Sequence, residues 1–206
     1  MLKIWGRANS INVQKVLWCC EELKLSYQRI DAGGAFGITD TPEYLSINPN
    51  GLVPTFEDDG FYLWESNVIV RYLAQKHGSG DFCPEQINRR FDAERWMDWQ
   101  ATSLWPALRI IFIGLIRTPE NQRDSSALLQ AEAQCARYMS VLNKALAHRK
   151  FLAGDGFSMG DVPAGATVHR WYALDIHHPT LEHLSRWYSA LCTRESFRKT
   201  VMLPLS

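Results

Sequence analysis

The sequence predicts an α/β first part followed by an all-helical second part. One observation is a strand, a helix and a second strand in succession near the start, which requires the two strands to pair in parallel. Another is a hairpin signal followed by an amphipathic helix, and a third is the helical period of the apolar residues in the second part. A stretch containing Gly, Ser and Pro separates the two patterns. The predicted parts are residues 1–78, a linker at 79–87 and residues 88–206.

The elements of the first part follow from short apolar runs separated by turn residues. Their β-branched and aromatic residues are typical of strands, and the sequence Asp58-Asp59-Gly60 is a good hairpin turn. In the helix after the hairpin, Val68, Ile69, Tyr72 and Leu73 form one apolar face that can cover the sheet. The predicted elements are strands at 2–5 and 27–31 around a helix at 12–23, strands at 54–56 and 61–63, and a helix at 65–77.

Pro54 lies inside an otherwise strand-like run, Val53-Pro54-Thr55-Phe56, and this constrains the local backbone. Proline has no N–H, so a proline within an interior strand removes one hydrogen bond from the ladder. We therefore expect Pro54 to begin an edge strand or to follow a cis peptide bond. Either arrangement leaves the N–H and C=O of Val53 free to pair with the peptide group of a ligand, as an added strand would.

The start of the helix after the hairpin is a second predicted binding feature. Glu65 and Ser66 open this helix. The unpaired N–H groups of a helix N-terminus and the positive end of its dipole favour a carboxylate, while Glu65 can meet a ligand ammonium group. A small anionic peptide with a free amino-acid end satisfies both features.

In the second part, apolar residues recur three and four positions apart, as on one face of a helix. We expect two long helices that pack antiparallel, and a later helix after His178-Pro179-Thr180. Pro106 should kink the first helix, because its ring clashes with the carbonyl one turn back and one backbone hydrogen bond is lost. The apolar positions are Met97, Ala101, Leu104, Leu108, Ile111 and Leu115, then Leu128, Ala136, Met139, Leu142 and Leu146, then Leu181, Leu184, Tyr188 and Leu191.

Composition argues against several classes of partner. The 206 residues carry 22 basic and 22 acidic side chains, so no net charge attracts the chain to nucleic acid or to an anionic membrane. The longest apolar run, residues 110–116, is far shorter than the roughly 20 residues of a membrane span. The start of the chain has no apolar leader segment, and five cysteines without metal-like spacing suit a reducing compartment. We therefore expect a cytoplasmic protein that binds no nucleic acid, membrane or metal.

The turn after the first strand, Arg7-Ala8-Asn9-Ser10-Ile11-Asn12-Val13, leads directly into the first helix. A ligand thiol at this point would meet a helix N-terminus. Free thiols ionise near pKa 8.5, and lowering that value by about two units needs about 2.7 kcal/mol of preferential thiolate stabilisation. A hydroxyl hydrogen bond and the helix dipole together can supply it. From local sequence alone Ser10 or Asn12 is better explained as a helix cap, since Ser and Asn are preferred caps, and only the surrounding site favours the thiolate role.

Taken in this order and spacing, these motifs and Ser158-Met159-Gly160-Asp161 resemble cytosolic glutathione transferases, most of all the small bacterial members. The resemblance covers essentially the whole chain. It implies an N-terminal thioredoxin-like domain and an all-α C-terminal helical-bundle domain. It also implies glutathione as co-substrate, a small electrophilic substrate, a role in detoxification and a homodimer. In such dimers the partner subunit often completes the γ-glutamyl site, and Asp98 is our candidate for that contact.

The resemblance also implies roles for particular residues. Ser10 falls on the thiolate-stabilising position of serine-type members, and Asn12 is a second donor two residues later. At the position of Leu52, family members often carry lysine or another polar residue that contacts the glycine carboxylate of glutathione. Asn50 or the loop at residues 33–37 is the candidate replacement. The implied glutathione-binding set is Asn50, Val53, Pro54, Glu65 and Ser66, with the cysteinyl part at Val53 and the γ-glutamyl end at Glu65 and Ser66.

The second substrate is expected between the Arg7 turn and the kinked helix. Trp105, Arg109 and Phe112 recur four and three positions apart and share one helix face, which is typical of a core face as well as of a site wall. Arg109 is the sharper clue, because a charged residue among apolar ones needs water or a partner. We expect Arg109→Ala to weaken acidic electrophiles more than neutral ones. Arg7 can orient an anionic substrate or steady the thiolate, or be a solvated surface arginine.

Two alternative functions stay open at this stage. Asn12 matches bacterial members that reduce disulfides with glutathione, which predicts disulfide turnover without conjugation. The second alternative is a non-catalytic binding module, since a fold does not determine a function, and the apolar Leu52 at a glutathione-contacting position mildly favours it.

Asp161 has the position of a helix-capping partner of Ser158, and we expect it to be structural.

Overall fold

The structure is a computed structural model that describes residues 1–206. Its elements confirm the order predicted from the sequence, with two short helices added. They are β1 Leu2–Trp5, α1 Ile11–Glu22, β2 Tyr27–Ile30, α2 Pro42–Ile47, β3 Thr55–Asp58, β4 Phe61–Trp64, α3 Ser66–His77, α4 Ile87–Trp99, α5 Trp105–Phe112, α6 Ser125–Ala145, α7 Asp161–Ala173, α8 Glu182–Cys192 and α9 Glu195–Thr200.

The four strands form one mixed sheet in the order β2-β1-β3-β4. The β1 and β2 strands are parallel, as the strand-helix-strand pattern requires, and β3 runs antiparallel to both β1 and β4. The predicted hairpin is therefore confirmed. The added helices are α2 and α9. Helix α2 begins at Pro42, and the Thr41 side chain accepts a hydrogen bond from the N–H of Tyr44 at 3.3 Å. A threonine cap before a proline is an ordinary helix-start signal, so the sequence contained the information for this helix.

The peptide bond between Val53 and Pro54 is cis, which confirms one of the two arrangements expected there. The edge-strand alternative is wrong, because β3 lies between β1 and β4. Pro54 precedes the first paired residue of that strand, Thr55, so its missing N–H removes no hydrogen bond from the ladder.

A single long helix, Ile87–Arg117, contains α4 and α5. A π-helical turn at Gln100–Leu104 precedes α5, and a second one at Ile113–Arg117 follows it. Pro106 is the second residue after the first of these turns, so the interruption expected at the proline takes the form of a change in helical hydrogen bonding. By length and composition this helix would suffice to cross a membrane. Here it is a core helix that packs against α6 and α7.

One apolar core of 43 buried residues extends through both parts of the chain. Helix α1 belongs to the first part, yet it packs against α7 and α9 of the second. Trp18 of α1 lies 5.4 Å from Phe157 and 4.6 Å from Phe197, measured between ring centroids. Because α1 is fixed on α7, residues at the start of α1 and along α7 face a common space.

Asp161 is structural, as the sequence suggested. Its carboxylate is completely buried and accepts hydrogen bonds from four donors, each at 2.9 Å. The donors are the N–H groups of Leu152 and Ser158, the Ser158 hydroxyl and the Trp187 indole. The carboxylate therefore joins the loop before α7 to α8 and has no free position for a substrate.

Candidate functional site

A cavity of about 350 Å³ opens where the start of α1 faces α5 and α7. The sequence predicted six residues for the thiolate position and the second substrate, and all six line this cavity. Ser10 and Asn12 come from the start of α1, and Arg7 comes from the turn before it. The other three, Trp105, Arg109 and Phe112, come from α5, in the second half of the long helix. The helical spacing therefore brings these three side chains to one wall.

A smaller cavity of about 50 Å³ continues from the first one toward the start of α3. Asn12, Leu52 and Val53 line both spaces, so the two cavities adjoin. All five residues predicted to bind glutathione line the smaller one: Asn50, Val53, Pro54, Glu65 and Ser66. The arrangement forms an elongated groove that begins at a helix N-terminus and ends among the side chains of α5 and α7.

Ser10 occupies the N-cap position of α1, but its side chain does not cap the helix. Its backbone is extended, with φ −79° and ψ 124°, and its carbonyl accepts from the N–H of Gln14 at 2.8 Å. The hydroxyl makes no hydrogen bond to the first turn, although the residue is only 8% exposed. The helix-cap explanation of Ser10 therefore lacks its defining bond, and the hydroxyl is available to a ligand in the cavity.

The backbone of Val53 is free, as the proline argument predicted. Neither its N–H nor its C=O has a partner among the backbone hydrogen bonds outside helices and strands. The neighbouring carbonyl of Leu52 accepts from the Tyr44 hydroxyl at 2.7 Å and from the Asn48 amide at 2.8 Å, which fixes the turn. The side chain of Leu52 is 66% exposed and brings no polar group to the groove.

Glu65 stands immediately before α3 with a backbone conformation that non-glycine residues rarely adopt, at φ 68° and ψ 104°. Such strained conformations concentrate at binding sites, where the surrounding structure holds them. The Glu65 carbonyl accepts from the N–H of Ile69 at 3.0 Å, and Ser66 is buried at the first position of the helix. The first turn of a helix has free N–H groups, and Glu65 and Ser66 line the end of the groove.

Lys15 is a buried residue near the groove that the sequence reading missed. It is 3% exposed, and its ammonium donates to the Asn67 side chain at 3.0 Å. Burial lowers the pKa of Lys15 to about 7, and the nearby Glu65 carboxylate partly opposes this shift. Asn67 in turn donates to the Met97 carbonyl at 2.7 Å, which connects α3 to the long helix. Lysine is common on exposed helix faces, so local sequence gave no signal of this burial.

Two further arginines, Arg117 and Arg170, line the larger cavity and were also missed. Their guanidinium groups lie 5.0 and 4.5 Å from the centroid of the Phe112 ring. Burial, then the charges of Arg117 and Arg7, lower the pKa of Arg170 to about 10. Arg170 belongs to α7, some sixty residues from Phe112, so only the tertiary fold shows that these residues meet.

Comparison with known proteins defines the class. Residues 1–75 match the model for the N-terminal domain of glutathione S-transferases, and residues 104–195 match the model for the C-terminal domain. Glutathione S-transferase GstB of Escherichia coli is 41% identical over the full length of both chains.

Solved structures agree with this match. A theta class glutathione S-transferase from Xanthomonas axonopodis pv. citri, with glutathione bound, superposes with a TM-score of 0.96 and 42% identity over 100% of this chain and 99% of that one. Glutathione transferase F2 from Populus trichocarpa superposes with a TM-score of 0.87 and 27% identity over 98% of each chain.

A thioredoxin-like domain and a helical domain with a groove between them thus define an enzyme that uses glutathione as co-substrate. The chain belongs to the glutathione S-transferase family. The predicted fold, family and co-substrate are confirmed.

Proposed function

We propose that the enzyme conjugates glutathione to a small electrophile, with the glutathione thiolate held at the start of α1. Ser10 donates its hydroxyl hydrogen bond to the sulfur, and Asn12 is a second donor at the junction of the two cavities. The thiolate attacks the electrophile, which lies against Arg7, Trp105, Arg109 and Phe112. The observation that carries this proposal is the Ser10 hydroxyl, which makes no capping hydrogen bond. Ser10 stands at the N-terminus of the twelve-residue helix α1 and lines the groove.

Glutathione is proposed to lie along the groove from α1 to α3. Its cysteinyl peptide group forms backbone hydrogen bonds with the N–H and C=O of Val53, which have no partner within the protein. The turn before Pro54 leaves these two groups accessible. Its γ-glutamyl carboxylate meets the free N–H groups at Ser66, and its ammonium group meets the Glu65 carboxylate. Asn50 lines the same end of the groove and is the remaining polar candidate for the peptide.

We also propose that the enzyme acts as a homodimer in the cytoplasm, with a role in detoxification, and that residues 1–78, 79–87 and 88–206 are its two domains and their linker. Four apolar residues of β4 and α3 are exposed, together with two at the start of α4. They are Phe61, Tyr62, Trp64, Val68, Ile87 and Phe91. Phe61 and Val68 line one surface pocket beside α4, and exposed apolar groups that adjoin in this way are typical of a subunit interface.

Asp98 lies on the neighbouring part of α4. Its side chain is 68% exposed and pairs with Arg71 of the same subunit. In the proposed dimer it reaches the γ-glutamyl site of the partner. Sedimentation of the parent and of Phe61→Glu tests the dimer: we expect a dimer that the variant dissociates, and a monomeric parent would contradict it.

Steady-state kinetics with two kinds of substrate tests the proposed reaction. We expect turnover of 1-chloro-2,4-dinitrobenzene with glutathione, and a fall of about ten to a hundredfold in kcat/KM for Ser10→Ala because one thiolate hydrogen bond is lost. Ser189→Ala, an exposed serine of α8, is the matched control and should retain parental rates. Turnover of a mixed disulfide without conjugation would select the reductase alternative. Absence of both reactions, with no glutathione binding, would select the binding module.

A further inference from the structure

We propose that the preferred electrophile is an anion, a small carboxylate-bearing compound whose charged group binds to four arginines of the larger cavity. This inference names the substrate class of the proposed conjugation and therefore rests on it. The four residues are Arg7, Arg109, Arg117 and Arg170. Three of them come from the long helix and α7, on the electrophile side of the groove, and Arg7 comes from the turn before α1.

The larger cavity is positively charged. Four arginines line it, and none of the lining residues is aspartate or glutamate. None of the four makes an ion pair with a carboxylate side chain anywhere in the chain. Like charges that line one cavity repel one another, which costs free energy in the absence of a counter-charge. A bound anion supplies that counter-charge.

Arg170 is a buried cation of this cavity. This side chain is only 3% exposed, and a buried guanidinium normally has a carboxylate or a full set of hydrogen-bond acceptors. Here one Nη donates to the Asn9 carbonyl at 2.6 Å and lies 3.4 Å from the Gln14 side-chain oxygen, and the Nε has no partner. The Arg170 guanidinium therefore contacts only neutral acceptors, and one of its nitrogens has no acceptor. This leaves its positive charge without a counter-ion.

Arg117 and Arg109 extend the same positive surface. The Arg117 guanidinium lies 5.0 Å from the centroid of the Phe112 ring and donates to the main-chain oxygen of Ser206 at 3.0 Å. Burial, then the charges of Arg7 and Arg109, lower the pKa of Arg117. Arg7, Arg109 and Arg117 line the same cavity. A planar guanidinium binds a carboxylate through two parallel hydrogen bonds, so this geometry favours a carboxylate over a neutral group.

With an α-halocarboxylate the reaction is a nucleophilic substitution in which the glutathione thiolate displaces the halide. The glutathione sulfur forms a bond to the carbon next to the carboxylate, and the carbon–halogen bond breaks. The halide leaves with the bonding electrons, and the carboxylate takes no part except as a handle on the arginines. Because Ser10 and the arginines line one cavity, the sulfur and the anionic handle lie within the same space.

A substrate pair that differs only in charge tests the proposal. Chloroacetate and chloroacetamide share the reacting carbon and the leaving group, and each kcat/KM is divided by the uncatalysed rate constant with glutathione. We expect the parent to favour chloroacetate at least about tenfold. Each of Arg109→Gln and Arg117→Gln should reduce that preference by about tenfold, the effect of one charge-assisted contact. Arg137→Gln, an exposed arginine on α6 outside the cavity, should leave it unchanged.

A binding measurement separates failure of this inference from failure of the proposed function. Calorimetry compares S-carboxymethylglutathione with S-carbamoylmethylglutathione in the parent and in Arg109→Gln, an exposed residue whose replacement should not disturb folding. The inference is supported if the parent binds the carboxymethyl compound more tightly than the carbamoylmethyl compound and Arg109→Gln does not. Equal binding of both compounds overturns it while the glutathione site stands. No binding of either compound overturns both proposals.

Glutathione itself carries a glycine carboxylate, which is the competing source of an anion for these arginines. If Arg109→Gln and Arg117→Gln weaken glutathione binding tenfold and leave the chloroacetate preference intact, the arginines hold glutathione and the inference is wrong. We expect the opposite, with the Kd of glutathione changed less than threefold.

Discussion

The two ends of helix α7 carry buried charges that the protein treats differently. Asp161 at the start is surrounded by four hydrogen-bond donors and belongs to the framework. Arg170 near the end has neutral acceptors for part of its guanidinium and an Nε without a partner, and it lines a cavity. A buried charge whose bonds are complete within the fold contributes to stability, whereas one whose bonds are incomplete is available to a ligand.

The largest expected effect is on stability, from Asp161→Ala. This change leaves four buried donors without an acceptor, and breaking such a network costs about 3–5 kcal/mol. Urea unfolding followed by circular dichroism measures the loss, with the exposed Asp155→Ala as control. The soluble fraction should keep its chemistry. A normal folding yield combined with lost turnover would show that Asp161 acts in the reaction.

Lys15 gives the next effect, which depends on pH. Its pKa is lowered to about 7 in the folded state, so between pH 7 and its ordinary value of 10.5 the unfolded chain binds more protons. Stability must therefore rise with pH in this window, by about 2 kcal/mol between pH 7 and pH 9 from this residue alone. Lys15→Met should lack that rise and be more stable than the parent at pH 6. Parallel stability curves for the two proteins would contradict this.

Arg170→Met is expected to change stability by about 1 kcal/mol or less, in either direction. The substitution removes two hydrogen bonds to neutral groups but also removes an uncompensated buried charge, and these effects oppose each other. Urea unfolding beside Asp161→Ala measures both ends of α7 in one experiment. If Arg170→Met cost as much as Asp161→Ala, Arg170 would be a framework residue and the contrast would fail.

The smallest expected effect on stability comes from Ser10→Ala. Loss of an ordinary N-cap serine costs about 1 kcal/mol, but the Ser10 hydroxyl makes no capping bond. We expect the free energy of unfolding to fall by less than about 0.5 kcal/mol while conjugation falls strongly. A stability loss of 1 kcal/mol or more would restore the helix-cap explanation.

The sequence predicted well those features that depend on neighbouring residues. The mixed sheet, the hairpin and the long helices followed from local periods and turn residues, and the proline rule restricted the Val53–Pro54 turn to two arrangements, one of which is present. Helix spacing brought Trp105, Arg109 and Phe112 to one wall of the cavity. Helix α2 was missed although Thr41 and Pro42 signalled it.

Features that depend on packing between distant segments lay beyond local reasoning. Arg170 reaches the cavity only because α1 packs on α7, and nothing in the residues around it distinguishes it from a surface arginine. Lys15 is buried for the same reason, between α1 and α3. Both positions are set by tertiary contacts, which override the usual preference of Lys and Arg for solvent.

The most direct test of the account is a pH titration of the thiolate absorbance of bound glutathione, in the parent and in Ser10→Ala. If Ser10 and the start of α1 stabilise the thiolate, the parent should lower the thiol pKa by about two units from its ordinary value near 8.5, and Ser10→Ala should return it toward that value. Glutathione that binds to the parent with an unshifted thiol pKa would contradict thiolate activation at this site.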